Sequence, residues 1–241
     1  MKKLDKLLQN RRYIAFLDFE GTQFSHEMIA LGGVLCSLNK EGKIKKMKKP
    51  IKLYVKAKNP IGNYVVTLTG ITQYVLDVKG ISFKKAMEEL KKYLGLHFKK
   101  CVFMTYGNHD MRILGQSIAH NLDFPKEICQ QIQRNYVDFS TFIGEFIRDE
   151  NGNPLSLIHN CELFGVELAG EAHDPSVDAV NLANLYNAFL SKPELVAEEY
   201  EKSLFRTAKM PTPIIRFLKR VEKGDKVDRN DLHEEIEDYL A

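Results

Sequence analysis

The chain has 241 residues, 44% of them hydrophobic and 28% charged. These are ordinary globular values, which exclude disorder as the default and suit one large domain or a domain with an appendage. The net charge of +3 is too small to name a partner, so the distribution of charge matters more than its sum.

The opening MKKLDKLLQNRR has no apolar core and does not read as a signal peptide. No apolar run approaches the roughly 18 residues that a membrane span needs. A soluble, cytoplasmic protein without a membrane partner is expected. YIAFLDF (13–19) and MIALGGVLCSL (28–38) read as strands joined by a polar turn, and NKEG (39–42) as a hairpin turn. KIKKMKKPIKLYVKAK then reads as a third strand leading into a loop, giving an antiparallel meander.

After GIT (70–72) the pattern becomes helical. Phe83, Met87, Leu90 and Leu94 share one face of a helix that Ser82 caps and Gly95 ends. CVFMTY (101–106) is a buried, parallel-type strand, followed by the helix MRILGQSIAHNL and the short strand NYVDF (135–139). Helices are expected over about 140–148, 155–165 and 175–190. Strands first, then strands alternating with helices, predict an α/β fold. Its mixed five-stranded sheet joins the three-stranded antiparallel meander to parallel strands and is flanked by helices. Residues 1–192 form the expected main domain. Residues 193–241 read as a charged helical extension, basic over 206–226 and acidic over 228–238, broken by PTP at 211–213. Cys36, Cys101, Cys129 and Cys161 are widely spaced with no C-x-x-C pair, and read as reduced, buried thiols.

The informative residues are acids in apolar surroundings. Asp18 and Glu20 lie two apart in the first strand and so face the same way. Burying two adjacent carboxylates is costly unless a cation offsets them, and Mg²⁺ and Mn²⁺ take oxygen ligands. Asp110 begins a helix and shares the inward face of Ile113, Leu114 and Ser117. Alone, it reads rather as a first-turn acid favoured by the helix dipole. Asp178 follows the N-cap Asp174 and Pro175, on the face of Leu182, Leu185 and Phe189. His173, five residues before Asp178, is a candidate general base.

D-x-E, a helix-start Asp and H-x₄-D, in that order, resemble the DEDDh 3′-to-5′ exonucleases, which have an RNase H-like fold. DFEGT (18–22), TLTGITQYVLD (67–77) and HDPSVDAVNLANLY (173–186) resemble more closely the branch that trims histone messenger RNA and small interfering RNA, with its bacterial KapD-like relatives. The resemblance covers about residues 12–190. It implies that Asp18, Glu20, Asp110 and Asp178 hold two divalent cations, Mg²⁺ or Mn²⁺, with Asp18 bridging them. It further implies that His173 deprotonates the attacking water and that nucleoside 5′-monophosphates leave a free 3′ end. Gly21 and Thr22 are then expected to hold the terminal sugar. Phe24, Met28 and Ile71 read either as apolar surface for the terminal base or as core. His109 stands where eukaryotic relatives carry an aromatic, beside Asp110, and is a candidate substrate contact.

Nine lysines between Lys40 and Lys58 face one acid, Glu41. They read as a track for phosphates or as the protected edge of a sheet. The resemblance implies single-stranded RNA, or short 3′ overhangs, as the substrate. The alternatives are a DNA-directed exonuclease of proofreading type and a catalytically weak binding module. A protein partner for the C-terminal extension is also expected. No G-x-S-x-G motif or Gly-rich phosphate loop suggests other chemistry.

Overall fold

A computed structural model describes residues 2–171, 173–207 and 210–240. After helix α1 (Lys2–Leu8), strands β1 (Tyr13–Gly21) and β2 (Met28–Leu38) pair antiparallel, with Asp18 opposite Gly32. Strands β3 (Ile44–Met47) and β4 (Ile51–Tyr54) both pair with β2, one beside Cys36–Leu38 and the other beside Ala30–Gly33. The expected third strand is thus split in two at Lys48–Pro50. Proline has no N–H to give to the ladder. The Tyr93 hydroxyl fills the gap instead, accepting from the Leu35 N–H at 3.2 Å and donating to the Lys49 carbonyl at 2.8 Å. Two short helices follow, α2 (Asn63–Thr69) and α3 (Gln73–Lys79), then α4 (Phe83–Leu94).

Strand β5 (Cys101–Thr105) runs parallel to β1, and after α5 (His109–His120) and α6 (Lys126–Arg134), β6 (Tyr136–Asp138) runs parallel to β5. The sheet is therefore mixed and five positions wide, in the order β3/β4, β2, β1, β5, β6. Helices α7 (Phe139–Ile143), α8 (Leu157–Leu163) and α9 (Pro175–Ser191) complete the part of the chain expected to be the main domain. The tail holds α10 (Pro193–Thr207), α11 (Thr212–Glu222) and α12 (Arg229–Leu240). Here PTP starts a helix, because Pro213 lies in the first turn of α11, where no N–H is needed. None of the helices among the described residues is long and apolar enough to cross a membrane.

Alternation along β1 divides the core. Ile14 and Phe16 pack with Leu182, Leu185, Tyr186 and Phe189 of α9. Ala15, Leu17 and Phe19 pack with Met87 and Leu90 of α4 and Ile113 and Leu114 of α5. Asp18 and Glu20 continue the even-numbered set, so they face α9.

Gly32 permits this approach. A Cβ at that position would lie 1.9 Å from the carbonyl carbon and oxygen of Pro175 and 2.3 Å from the Ser176 nitrogen. The first turn of α9 therefore rests on bare strand backbone directly opposite Asp18. Gly32→Ala is expected to lower unfolding free energy by about 2 kcal/mol or more, since backbone atoms cannot step aside. Gly115→Ala, within α5 and facing open space, is expected to be neutral or stabilising by about 0.5–1 kcal/mol. Urea unfolding of both variants checks the contrast.

Candidate active site

The site is built where β1 ends. Pairing between β1 and β2 slips between Glu20 and Gly21, so the strand bends away just past the two acids. Helix α5 reaches this end because Gly21 leaves room for it; a Cβ there would lie 2.9 Å from Ile113. Asp110, in the first turn of α5, is 5% exposed and accepts a hydrogen bond from the Phe19 N–H at 2.7 Å. The third acid of the set is thus tied to the peptide between Asp18 and Glu20.

Helix α9 brings the fourth. Asp174 caps the helix by accepting from the Ser176 N–H, and Pro175 takes the first position. Asp178 sits in the first turn and accepts from the His173 N–H at 3.0 Å. His173 has a φ of 64°, a left-handed conformation that few side-chain-bearing residues adopt. That turn places its Nδ1 3.9 Å from Glu20 Oε1. One ligand atom from each of Glu20, His173 and Asp178 lies within 4.8 Å of the other two.

Electrostatics mark this cluster as short of positive charge. Burial pushes the Asp18 carboxyl well up, and the charges of Asp110, Glu20 and Asp178 add to the shift. Burial, with Asp178 and Asp110, raises Glu20 to about 8. Burial raises Asp110 to about 7 against the pull of the Phe19 N–H. Asp178 is raised by burial, with the His173 N–H opposing. Lys52 is the nearby cation acting on Glu20. It is engaged by Asp174 at 2.8 Å; against burial, which pushes the Asp174 carboxyl up, Lys52 and the hydrogen bonds from Ser176 together hold it below the usual carboxylate range. Among the described residues, no group donates a hydrogen bond to the Asp18 or Glu20 carboxylate. Carboxylates with free oxygens and raised affinity for protons fit hard divalent cations, which would replace those protons.

The other candidate residues scatter. Thr22 is 1% exposed, and its Oγ1 accepts from the Glu27 N–H at 2.9 Å and bonds Ser25 Oγ at 2.7 Å. It shapes the strap between β1 and β2. Phe24 stands on that strap, 81% exposed. His109 is exposed beside Asp110, its ring edge-on to His26 at 5.4 Å. Met28 and Ile71 are 1% and 3% exposed, in separate apolar clusters.

Several contributors were not legible as such in the sequence. Gly32 was signalled only by the GG pair inside an apolar strand. Lys52 looked like one lysine among nine. Glu27, 2% exposed, accepts from the backbone N–H groups of Lys58 and Asn59 at 2.9 and 2.7 Å and fastens the strap to the loop before α2. Tyr64, 65% exposed on α2, donates its backbone N–H to Gln23 of the strap at 3.3 Å. Its sequence context carries no signal, because the seven residues of α2 are too few to show a helical period.

Comparison with known proteins follows this geometry. A family model described as Exonuclease (RNase_T) matches residues 15–186. The chain belongs to the RNase_T exonuclease family. All five site residues lie within the matched segment. No curated protein matches this exonuclease-family chain in sequence. Among solved structures, the nuclease domain of 3′hExo, a DEDDh family member bound to rAMP, is 20% identical with a TM-score of 0.58, over 76% of this chain and 93% of that one. Cell-death related nuclease 4 (CRN-4) is 24% identical with a TM-score of 0.59, over 75% of this chain and 64% of that one. E. coli exonuclease I in complex with a dA16 oligonucleotide is 18% identical with a TM-score of 0.58. It aligns over 81% of this chain, which spans 44% of the exonuclease I chain. The shared fold is the mixed α/β fold expected from the element order, and of the exonuclease type that the family resemblance implies.

A pH dependence follows from Glu20. Its folded-state pKa is raised, so its contribution to stability is full below about 4.5 and is lost as pH rises towards about 8. Metal-free protein is expected to lose melting temperature between pH 5 and 8. Added Mn²⁺ should restore more of it at pH 8 than at pH 5. Thermal unfolding in chelator and in Mn²⁺ across this range checks both signs.

Proposed function

We propose that this exonuclease-family protein is a metal-dependent 3′-to-5′ exonuclease. Its proposed substrate is single-stranded nucleic acid, RNA in preference to DNA, which it shortens to nucleoside 5′-monophosphates. The observation that supports this reading is the convergence of Asp18, Glu20, Asp110, Asp178 and His173 at the end of one strand. Asp18, Glu20, Asp110 and Asp178 would hold two cations, Mg²⁺ or Mn²⁺, with Asp18 shared. When bound, such ions offset charge on the attacking and leaving oxygens of a phosphoryl displacement.

The chain's own groups do the rest. His173 accepts the proton of the attacking water at a ring nitrogen. Its place is set by the Asp178 carboxylate on its backbone and by Glu20 beside its ring. Water attacks phosphorus, the bond to the 3′ oxygen breaks, and that oxygen takes up a proton as the shortened strand leaves. Gly21 and Thr22 shape the strap beside the site, the exposed His109 flanks it next to Asp110, and Phe24 offers an exposed ring for base stacking, worth about 1–3 kcal/mol per base. Residues 1–192 are the proposed working domain, with a cytoplasmic location.

The preference for RNA draws support from the fold shared with 3′hExo, seen bound to rAMP, and with a 3′-exonuclease whose structure concerns recognition of a histone mRNA stem-loop. The DNA reading draws on exonuclease I, seen with dA16. The presence of the full set of four acids and a histidine argues against a catalytically weak module.

Incubation of 5′-labelled single-stranded RNA, or the matching DNA, with Mg²⁺ or Mn²⁺ tests the proposal. A ladder shortening from the 3′ end is expected, faster for RNA and abolished by chelator. Asp18→Ala should lower the rate at least 1,000-fold, and His173→Ala about 100- to 10,000-fold. Failure of the folded, metal-loaded protein to shorten either polymer would refute the exonuclease reading.

A further inference from the structure

A cleft on the α4 side of the sheet carries the inference. It encloses about 540 Å³ between the start of β1 and the end of α4. Tyr13 on β1 stands opposite Ser37 on β2, and Ser37 opposite Lys46 on β3, so these three side chains form a row on one face of the sheet. Lys48, just after β3, lines the same cleft. The facing wall is the last turn of α4, with Lys92, and the 3₁₀ segment that follows it (Gly95–Lys100), with His97. Asp18 and Glu20 face α9 instead, on the other side of β1. Tyr13 and Glu20 also lie near opposite ends of that strand, about 23 Å apart along it. The cleft is thus separate from the four acids.

Its lining is one-sided in charge. Three lysines and no carboxylate face it among the described residues. Lys48 donates to the Tyr93 carbonyl and lies over the Tyr93 ring at 4.2 Å. With the Gly95 N–H on the Lys91 carbonyl, this serves the exposed carbonyls at the end of α4. Lys46 and Lys92 remain. Lys46 has no ion-pair or hydrogen-bond partner among the described residues, and Lys92 has Glu89 only at 3.9 Å, beyond hydrogen-bond distance. Protection of a sheet edge would ask for lysines on the edge strand alone, whereas Lys92 reaches the cleft from a helix. The Tyr13 and Ser37 hydroxyls have no hydrogen-bond partner among the described residues, and the buried His97 Nδ1 has none either. The Tyr13 and His97 rings stack at 4.0 Å between centroids, beside the buried Leu35 and Leu94. Free cationic and hydroxyl donors next to stacked rings suit a ligand that is anionic at one end and a flat ring at the other. We propose that this cleft binds a nucleoside phosphate. Lys46 and Lys92 hold the phosphate, and the base lies against the Tyr13–His97 rings. A free nucleotide and one unit of a nucleic-acid strand present the same ring and phosphate.

Calorimetric titration of the full chain with 5′-AMP and, separately, with a single-stranded oligoadenylate tests this. Chelator is present throughout, so that metal-dependent binding at the four acids is silent. The double variant Lys46→Ala/Lys92→Ala, at two exposed positions, should keep its circular dichroism and bind about 10-fold more weakly or worse, the effect of losing charge-assisted bonds. Asp18→Asn should bind as tightly as the wild type. Adenosine, which lacks the phosphate, and inorganic phosphate, which lacks the ring, should each bind more weakly than AMP. AMP held as tightly as the oligonucleotide would identify a free nucleotide as the ligand. An oligonucleotide held more tightly, with the same loss in the lysine variant, would identify a unit of a strand. A wild type that binds neither would overturn the proposal. So would binding that survives in the lysine variant or disappears in Asp18→Asn, either of which places the ligand elsewhere. Inorganic phosphate held as tightly as AMP would overturn the nucleoside assignment and leave a bare anion site. None of these readouts depends on nuclease activity.

Discussion

Mutual repulsion among carboxylates is the constraint around which the site is organised. Asp18, Glu20, Asp110 and Asp178 come from one strand and two helices, and the last three all raise the proton affinity of Asp18. Left alone, such groups would move apart or take up protons. The scaffold prevents the first. Asp110 is bonded to the backbone of β1, Asp178 to the backbone of His173, and the start of α9 is clamped by Lys52 and Asp174. Gly21 and Gly32 let both helices approach the strand closely enough for those bonds to form. Cores on both faces of β1 hold the strand itself still. The charge that the scaffold cannot neutralise is the one that cations would supply.

This view separates the lysines that looked alike in sequence. Lys52 pairs with the cap of α9, the backbone of Lys58 is held by Glu27, and Lys48 lies over the Tyr93 ring at 4.2 Å. These three members of the run are fastened to the fold. The exposed Lys45 and Lys49 keep either role open to them, phosphate contact or edge protection.

Much of the fold was legible because its signals were strong and local. The alternation in YIAFLDFEG, the Ser82 and Asp174 caps, and the apolar run CVFMT each marked a real element. The candidate site was legible for a related reason. Acids inside apolar patterns have few structural explanations, and those at positions 18, 20, 110 and 178 converge with His173. What escaped was short or depended on distant partners. Helices α2 and α3 have seven residues each, too few for a periodic pattern to show. The break between β3 and β4 depends on Tyr93, about 40 residues away in sequence. In sequence Met28 and Ile71 fit base contact and core alike, and their burial places both in apolar clusters. Gly32 needed the backbone of α9 in view before its role was plain.

The central claim is that the four carboxylates share divalent cations. Mn²⁺ binding, followed by electron paramagnetic resonance of the free ion at pH 7.5, tests it most directly. The account predicts two ions per chain for the wild type. It also predicts loss of tight binding in Asp18→Asn, where the shared ligand is removed without changing its shape. Folded wild-type protein that leaves all the Mn²⁺ free would contradict it, as would an Asp18→Asn variant that binds as tightly as the wild type.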